Sequence, residues 1–271
     1  MIEGFKQIAI ISDFGTRDYF VAAMKGVISG IAPDARIIDL SHHIPAQDIT
    51  RGAQFLKSIV DFYPEGTLFL AIVDPTVGSQ REGIAFFADG KGFVGPNNGI
   101  FSLCYQNNPG ASIIQKREIA PFTFHGRDMF APFAAKWFNA GPYNLSKLTE
   151  KRLDDTNYVR CFMPEPIQEP GMIHGQIVWI DHFGNCITNI SLEMLQNFST
   201  SVRILFRDLV LDEYHWHYSE VESGEALALI SSNNTLELSI RDGDFADMFE
   251  PAVEQFEEIN VIHRRKTEDE R

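Results

Sequence analysis

Short apolar runs alternate with helical periods through the first half of the chain, and few folds accept that order. Ile8 to Ile11 form the first run. Phe20, Val21, Met24, Val27, Ile28 and Ile31 then recur at the spacing of one helix face. A second run, Arg36 to Leu40, is followed by Ile49, Ala53, Leu56 and Val60 at helical spacing, and a third, Thr67 to Val73, is the most hydrophobic of all. This order predicts parallel strands, buried on both faces and joined by helical crossovers. Ile84 to Ala88 and Gly92 to Val94, joined through Asp89-Gly90, predict a hairpin added to that sheet. Met129, Phe130, Phe133, Trp137 and Phe138 predict a helix that ends at Gly141.

Between Pro142 and Pro170 the pattern breaks into a polar stretch punctuated by Pro164 and Pro166, which reads as a linker. Beyond it, Ile173 to Ile180, Cys186 to Ile190, Val202 to Phe206, Ala226 to Ile230 and Leu236 to Ile240 are short strands at regular spacing. The expected fold class is α/β, a mostly parallel sheet with helices, followed by a small all-β, barrel-like domain. The expected boundaries are 1–141 for the α/β domain, 142–170 for the linker, 171–260 for the β domain and 261–271 for a disordered tail, whose charge run starts at His263. A chain of 271 residues, 44% hydrophobic and with 22 Phe, can fill such cores.

The chain carries 23 basic against 37 acidic side chains, a net charge of −14 at pH 7. Such a surface repels nucleic acid and anionic membranes, both of which need clustered Lys and Arg. Cys104, Cys161 and Cys186 are scattered and form no metal or disulfide pattern, which fits a reducing compartment. The N-terminal apolar run is too short for a signal peptide, and no uncharged apolar stretch approaches the ~18 residues of a membrane span. A cytoplasmic protein is expected.

In an open parallel sheet, ligands bind outside the carboxyl ends of the strands. Here those ends are polar: Ser12-Asp13-Phe14-Gly15-Thr16-Arg17-Asp18, then Asp39-Leu40-Ser41-His42-His43, then Asp74-Pro75-Thr76-Val77-Gly78. Singly, Asp13 and Asp18 read as turn or cap residues and His42 as a surface histidine; together at one sheet edge they point to a site. Arg81, across the turn from Asp74, is either half of a surface salt bridge or the group that holds Asp74 ionised in a dry site. His125, in Phe124-His125-Gly126-Arg127-Asp128 at a helix start, is a candidate base whose pKa the helix dipole lowers. Gly95-Pro96-Asn97-Asn98-Gly99 is a tight turn.

In the second domain, Asp181-His182-Phe183-Gly184-Asn185 closes a strand with an acid, an aromatic ring and an amide, groups that hold an ammonium, stack on a base and match a purine edge, or that simply make a turn. Ser231-Ser232-Asn233-Asn234 reads equally as a hairpin turn. Asp13-Phe14-Gly15 and His125 to Asp128 echo kinase fragments, but in the wrong order and without a glycine-rich loop or strand lysine. His42, His43, Asp74 and His125 lack the spacing of a metal motif.

Taken in order, ISDFGTRD, DPTVGSQR, GPNNG, FHGRDMFAP and DHFGNCITNI resemble the S-adenosyl-L-methionine (SAM) hydroxide adenosyltransferase family, SAM hydrolases related to the bacterial fluorinase and chlorinase; the likeness covers about residues 7–250. The resemblance implies an N-terminal α/β domain, a C-terminal barrel-like domain, and a homotrimer with sites between the first domain of one subunit and the second of its neighbour. It implies that water and SAM give adenosine and L-methionine, with SAM as substrate and neither cofactor nor metal. Asp74, Arg81 and His125 match the catalytic set. Asp13 matches the ribose-binding carboxylate, and Asp18 a position near the methionine. Asp181 corresponds to the methionine-amine carboxylate, Phe183 and Asn185 to the base contacts, and Ser232 to the methionine-carboxylate contact; Asn98 joins them as a substrate-binding residue.

The halogenases carry an inserted loop before the PNNG turn, a Ser where this chain has Gly126, and a Tyr at the Asp74 position, so a hydrolase is favoured over a SAM-dependent halogenase. A sensor that binds SAM or adenosine without turnover is the rival from another class. Asn233 stands where the halogenases have Arg, Asn234 where the family has Gly, and Arg241-Asp242-Gly243-Asp244 also departs from the family pattern. Five acids, Asp13, Asp18, Asp74, Asp128 and Asp181, fall in or beside the proposed site and suit a substrate bearing a sulfonium and an ammonium.

Overall fold

The first apolar run becomes β1 (Gln7–Ser12), followed by α1 (Phe20–Ile31), β2 (Arg36–Ser41), α2 (Ile49–Ile59) and β3 (Thr67–Ile72). The computed structural model describes residues 3–114, 123–198 and 201–263, and the chain divides into two units, Met1–Phe162 and Met163–Arg271. In the first unit β1 pairs in parallel with β2 on one side and β3 on the other. Its side chains alternate between two cores. Ile8 and Ile10, with Leu68 and Leu70 of β3, pack on Met24, Ile28 and Trp137; Ala9 and Ile11, with Phe69 and Ala71, pack on Leu56, Val60 and Phe93. Ile8, Ile10 and Ile11 are 0% exposed, and burying each stabilises the fold by about 1.5–3 kcal/mol.

The expectation of strands buried on both faces holds for β1 and β3 but not for β2. That strand is the sheet edge and half-exposed, because it has one neighbour and carries Asp39, which pairs with Lys25 of α1. The hairpin forms as β4 (Gly83–Ala88) and β5 (Lys91–Pro96). Asp89 and Gly90 both take positive φ, 47° and 73°, the type I′ geometry that a two-residue hairpin loop requires. β5, the second strand of the pair, lies against β3 in parallel, and β4 lies outside it. Phe69, Phe93 and Phe86 stack across these three strands, with centroids 5.3 and 4.8 Å apart.

β6 (Ser112–Ile114), α3 (Ala131–Ala140) and β7 (Thr149–Arg152) complete the unit, giving the order β2-β1-β3-β5-β4-β6-β7. The segment expected to be a linker therefore packs. Residues 142–147 form a 3-10 helix, β7 pairs with β6, and Leu153 and Tyr158 are buried in the second core. Its prolines and charges hid short elements with too few residues to show a period.

The second unit contains β8 (Ile167–Glu169), β9 (Met172–Ile180), β10 (Cys186–Ser191), α4 (Leu192–Phe198), β11 (Val202–Phe206), β12 (Leu209–Leu211), β13 (Tyr214–His215), β14 (Ala226–Ile230), β15 (Thr235–Ile240) and β16 (Glu258–His263). Their sheet runs β12-β11-β16-β9-β10-β15-β14-β13, with β8 on β9, and is nearly closed and barrel-like around Ile173, Ile190, Phe206, Leu238 and Val261. Residues 261–263 of the expected tail belong to β16; the rest of the tail lies outside the described residues. No helix among the described residues is long and apolar enough to cross a membrane. The cysteines are free, and burial pushes the Cys104 and Cys186 thiols up to about 12, which leaves them unreactive.

One clip holds the 250–257 loop of this unit. Arg207 donates from Nε and Nη2 to Glu257 Oε2 and Oε1 at 2.9 and 2.7 Å, and from Nη1 to Pro251 O at 2.6 Å. These hydrogen bonds hold the Glu257 carboxyl below its usual range against the opposing effect of burial. A depressed carboxylate contributes stability above its unfolded pKa of about 4.3 and loses it as pH falls through the folded value. Arg207→Ala is expected to lower unfolding stability by about 1–3 kcal/mol at pH 7. In urea titrations between pH 7 and 3 the wild type should lose stability more steeply in acid than the variant; parallel curves would refute the assignment.

Candidate active site

The chain leaves β1 for β2 on one side and returns to β3 on the other, so the topological switch lies at the carboxyl ends of β1 and β3. The register pairs Ser12 with Ile72. Asp13 and Asp74 therefore leave the sheet from neighbouring strands at nearly the same height.

Asp74, Arg81 and His125 form one hydrogen-bonded unit. Arg81 Nε donates to Asp74 Oδ1 at 2.7 Å and Nη2 donates to Oδ2. The side chains are 8% and 6% exposed for Arg81 and Asp74, so this is not the open surface bridge that the sequence also allowed. Arg81 Nη2 also lies 3.0 Å from His125 Nδ1. A guanidinium only donates, so Nδ1 accepts and the ring proton sits on Nε2. The Phe130 ring lies under the guanidinium, 5.2 Å from Cζ, a cation–π contact that a dry setting strengthens. His125 caps a five-residue π turn, Gly126–Phe130, that runs into α3; such turns often mark functional sites. At Gly126 a Cβ would lie 2.9 Å from both Met24 Sδ and the Phe124 ring, so even a serine there displaces its neighbours.

Asp13 lies beside this edge, its Oδ2 accepting from Gln47 N at 2.8 Å. Asp18 is exposed. Asn98 is held inward: Nδ2 donates to Val73 O at 2.7 Å and Oδ1 accepts from Ile100 N at 3.3 Å, which braces the end of β3 immediately before Asp74. Asp128 takes a bidentate pair from Arg127 at 2.7 and 2.8 Å. His42 is buried at 4%, its Nε2 3.0 Å from Asp39 Oδ1. Burial raises the Asp39 carboxyl pKa, but hydrogen bonds and charge from Lys25 and His42 outweigh it and hold the group below its usual range. His43 is 3.4 Å from Thr16 Oγ1. Among the described residues no three His, Cys, Asp or Glu side chains converge as a metal-holding group.

In the second unit a pocket of about 620 Å³ is lined by Phe183, Asn185, Tyr218, Ser219, Ile240, Arg241, Asp242 and Gly243. Phe183 is 71% exposed, an apolar ring offered to solvent or a ligand. Asp181 shapes this turn: Oδ1 accepts from Phe183 N and Asn185 N at 2.8 and 3.0 Å, and Oδ2 from Asn185 Nδ2 at 3.0 Å. Gly184 stands at φ 81°, where a Cβ would meet the Asp244 carboxylate at 1.9 Å, so no larger residue fits. Ser232 is at the exposed tip of the β14–β15 hairpin, whose frame is Ser231 Oγ on Thr235 Oγ1 at 3.0 Å. Asn234 takes φ 58°, the left-handed region in which Asn replaces glycine at least cost.

Sequence reasoning missed Tyr218 and Glu237. Tyr218 OH donates to Glu237 Oε1 at 2.6 Å, Ser239 Oγ donates to the same oxygen at 2.8 Å, and Asn185 Nδ2 reaches Tyr218 OH at 3.5 Å. Burial and the bond to Glu237 push the Tyr218 phenol well above its usual pKa, so it stays a donor. The Leu-Glu-Leu-Ser alternation of β15 assigns Glu237 to an outward face, and only the fold shows that this face is covered.

Comparison with known proteins agrees with this architecture. Family models of the SAM hydroxide adenosyltransferase N-terminal and C-terminal domains match residues 8–147 and 175–256. An (R)-S-adenosyl-L-methionine hydrolase of Salinispora tropica is 31% identical over 248 residues, 89% of this chain and 92% of its own. One from Thermus thermophilus is 30% identical, over 88% of this chain and 93% of its own. A fluorinase from Actinopolyspora mzabensis is 28% identical over 80% of this chain and 84% of its own. The crystal structure of an uncharacterized conserved protein from Thermotoga maritima superposes with a TM-score of 0.83 at 28% identity, over 95% of this chain and all of that one. With both domain models matched in order, the chain belongs to the SAM hydroxide adenosyltransferase family.

Proposed function

We propose that this protein hydrolyses SAM to adenosine and L-methionine, and that it acts on the (R)-sulfonium epimer named for its hydrolase relatives. The observation that carries the reading is the buried Asp74–Arg81–His125 unit at the carboxyl end of β3. A water oxygen forms a bond to C5′ while the C5′–S bond breaks; its electron pair passes to sulfur, which leaves as the neutral thioether of methionine, and the water gives up one proton. Attack of a hydroxide-like oxygen on a sulfonium cancels charge, so a site that excludes water favours the transition state. Side chains 8% and 6% exposed are consistent with such a site.

Arg81 holds the Asp74 carboxylate in place through its fork, and the water proton is drawn off as the C5′–O bond develops, which gives the attacking oxygen its hydroxide-like character. His125, with its proton on Nε2, orients the water. Asp13 holds the ribose hydroxyls, Asp18 faces the methionine portion, and Asn98 acts through the β3 end it braces. Phe183 and Asn185 take the base, Asp181 the methionine ammonium and Ser232 its carboxylate. A neutral leaving group needs no Lewis acid, so neither metal nor cofactor takes part. A serine at Gly126, as the halogenases carry, would displace Met24 and Phe124, which supports water rather than halide as the nucleophile. The enzyme is cytoplasmic and works as a homotrimer whose sites are completed across subunit interfaces, as the resemblance implies; the exposed Phe183 supports a face completed by another surface.

Incubation of both SAM epimers with pure enzyme, with and without chloride, fluoride and EDTA, should give equimolar adenosine and methionine from the R form in every case. Binding without products would leave a sensor, a halogenated adenosine a halogenase, and inhibition by EDTA a metal enzyme. Asp74→Ala should retain SAM binding by calorimetry and lose at least about 100-fold in kcat. Arg81→Lys, which cannot make the fork to Asp74 and reach His125 together, should lose about 100-fold in kcat with KM little changed; full activity in either variant would overturn the assigned mechanism.

A further inference from the structure

A second hydrogen-bonded chain lies on the other side of the Asp13 loop. Lys25 Nζ donates to Asp39 Oδ2 at 2.5 Å, Asp39 Oδ1 lies 3.0 Å from His42 Nε2, and His42 Nδ1 lies 2.7 Å from Ser12 Oγ. Serine, histidine and aspartate in line resemble a nucleophilic triad, but a nucleophile must reach its substrate. Ser12 is 0% exposed and His42 4%, so this serine attacks nothing.

The bonds instead bracket Asp13. Asp39 accepts from Nε2–H, which leaves Nδ1 to accept the Ser12 hydroxyl proton and fixes the ring and hydroxyl in one orientation. The His42 carbonyl also takes Gly15 N at 2.7 Å. Residues on both sides of Asp13 are thus tied to one histidine. Gln47, held at φ 68°, a region that non-glycine residues seldom enter, aims its N–H at Asp13 Oδ2. One of the roughly four acceptor sites of the carboxylate is occupied in this way; among the described residues Oδ1 accepts no hydrogen bond.

We propose that Ser12 and His42 are positioning residues for sugar recognition: they fix the Asp13 carboxylate so that its open edge meets the paired ribose hydroxyls. The inference rests on the reading that Asp13 holds the sugar. Neither residue touches the substrate; both act by holding the strand end from which Asp13 projects, as outer-shell partners hold a ligating group.

The test is calorimetric binding of adenosine and of 2′,3′-dideoxyadenosine to the full-length protein, since only the former carries the hydroxyls. Wild type should prefer adenosine at least about tenfold, the size of one or two lost charge-assisted bonds. Ser12→Ala should cut that preference to less than about threefold while leaving dideoxyadenosine affinity unchanged, and should add nothing in an Asp13→Ala background. His42→Gln, which keeps a donor for Asp39 but loses the Ser12 bond, should behave like Ser12→Ala. His42→Asn, which keeps a polar atom near the Nδ1 position, should restore the preference and decides the matter if Ser12→Ala does not fold. If Asp13→Ala removes the preference while folded Ser12→Ala and His42→Gln keep it, the positioning role is refuted and the sugar reading of Asp13 stands. If Asp13→Ala itself keeps the preference, the sugar reading falls and this inference with it.

Discussion

Parallel pairing of β1 between β2 and β3 is the constraint from which the rest of the first unit follows. Every residue from Ile8 to Ile11 faces one of two helix-covered cores, so the strand interior has no room for chemistry and polar groups collect where the strands end. The right-handed crossovers that link parallel strands put those ends on a common edge. Because Ser12 is level with Ile72, the first carboxylate after each strand emerges beside the other. Asp13 and Asp74 were drawn together by backbone register before any side-chain contact was made.

At that edge the structure uses two histidines in opposite ways. His125 sits in the Asp74–Arg81 unit with Nδ1 accepting from a guanidinium, which places its ring proton on Nε2. His42 also carries its proton on Nε2, but there because a carboxylate demands it, and its Nδ1 turns inward to a serine with no access to solvent. The same residue type and the same tautomer are thus set by opposite charge partners, a guanidinium at one ring and a carboxylate at the other.

The long elements were legible because they repeat. α1 shows buried Val21, Met24 and Ile28 at helical spacing, and β1 and β3 are unbroken apolar runs. β6, β8, β12 and β13 span only three, three, three and two residues, too few for a period, and owe their pairing to neighbours far along the chain. The trio Asp74, Arg81 and His125 was legible by motif. The Asp74–Arg81 pair was legible from their spacing across the turn; that Arg81 also reaches His125 was not, since it depends on how a turn and a helix start meet in space. Glu237 was illegible for the same reason: alternation gives the face of a strand, not what covers it.

A buried ion pair is weak evidence for stability, since desolvating two charges offsets much of their attraction. The Asp74–Arg81 pair therefore calls for a reason other than folding, and the proposed reaction supplies one. SAM carries a sulfonium and an ammonium against one carboxylate, a net charge of about +1, whereas adenosine is neutral and methionine a zwitterion. A chain of net charge −14 attracts that cation over about a Debye length, ~8 Å at physiological salt, yet holds neither product by charge once the sulfonium is gone. Pairing Asp74 with Arg81 keeps this attraction from binding the sulfonium directly to the carboxylate. A free carboxylate there would stabilise the ground-state cation more than a transition state in which its charge is disappearing, and so slow the reaction. In the proposed reaction Arg81 thus has two tasks, to hold Asp74 in place and to offset a charge that would otherwise favour the substrate over its transition state.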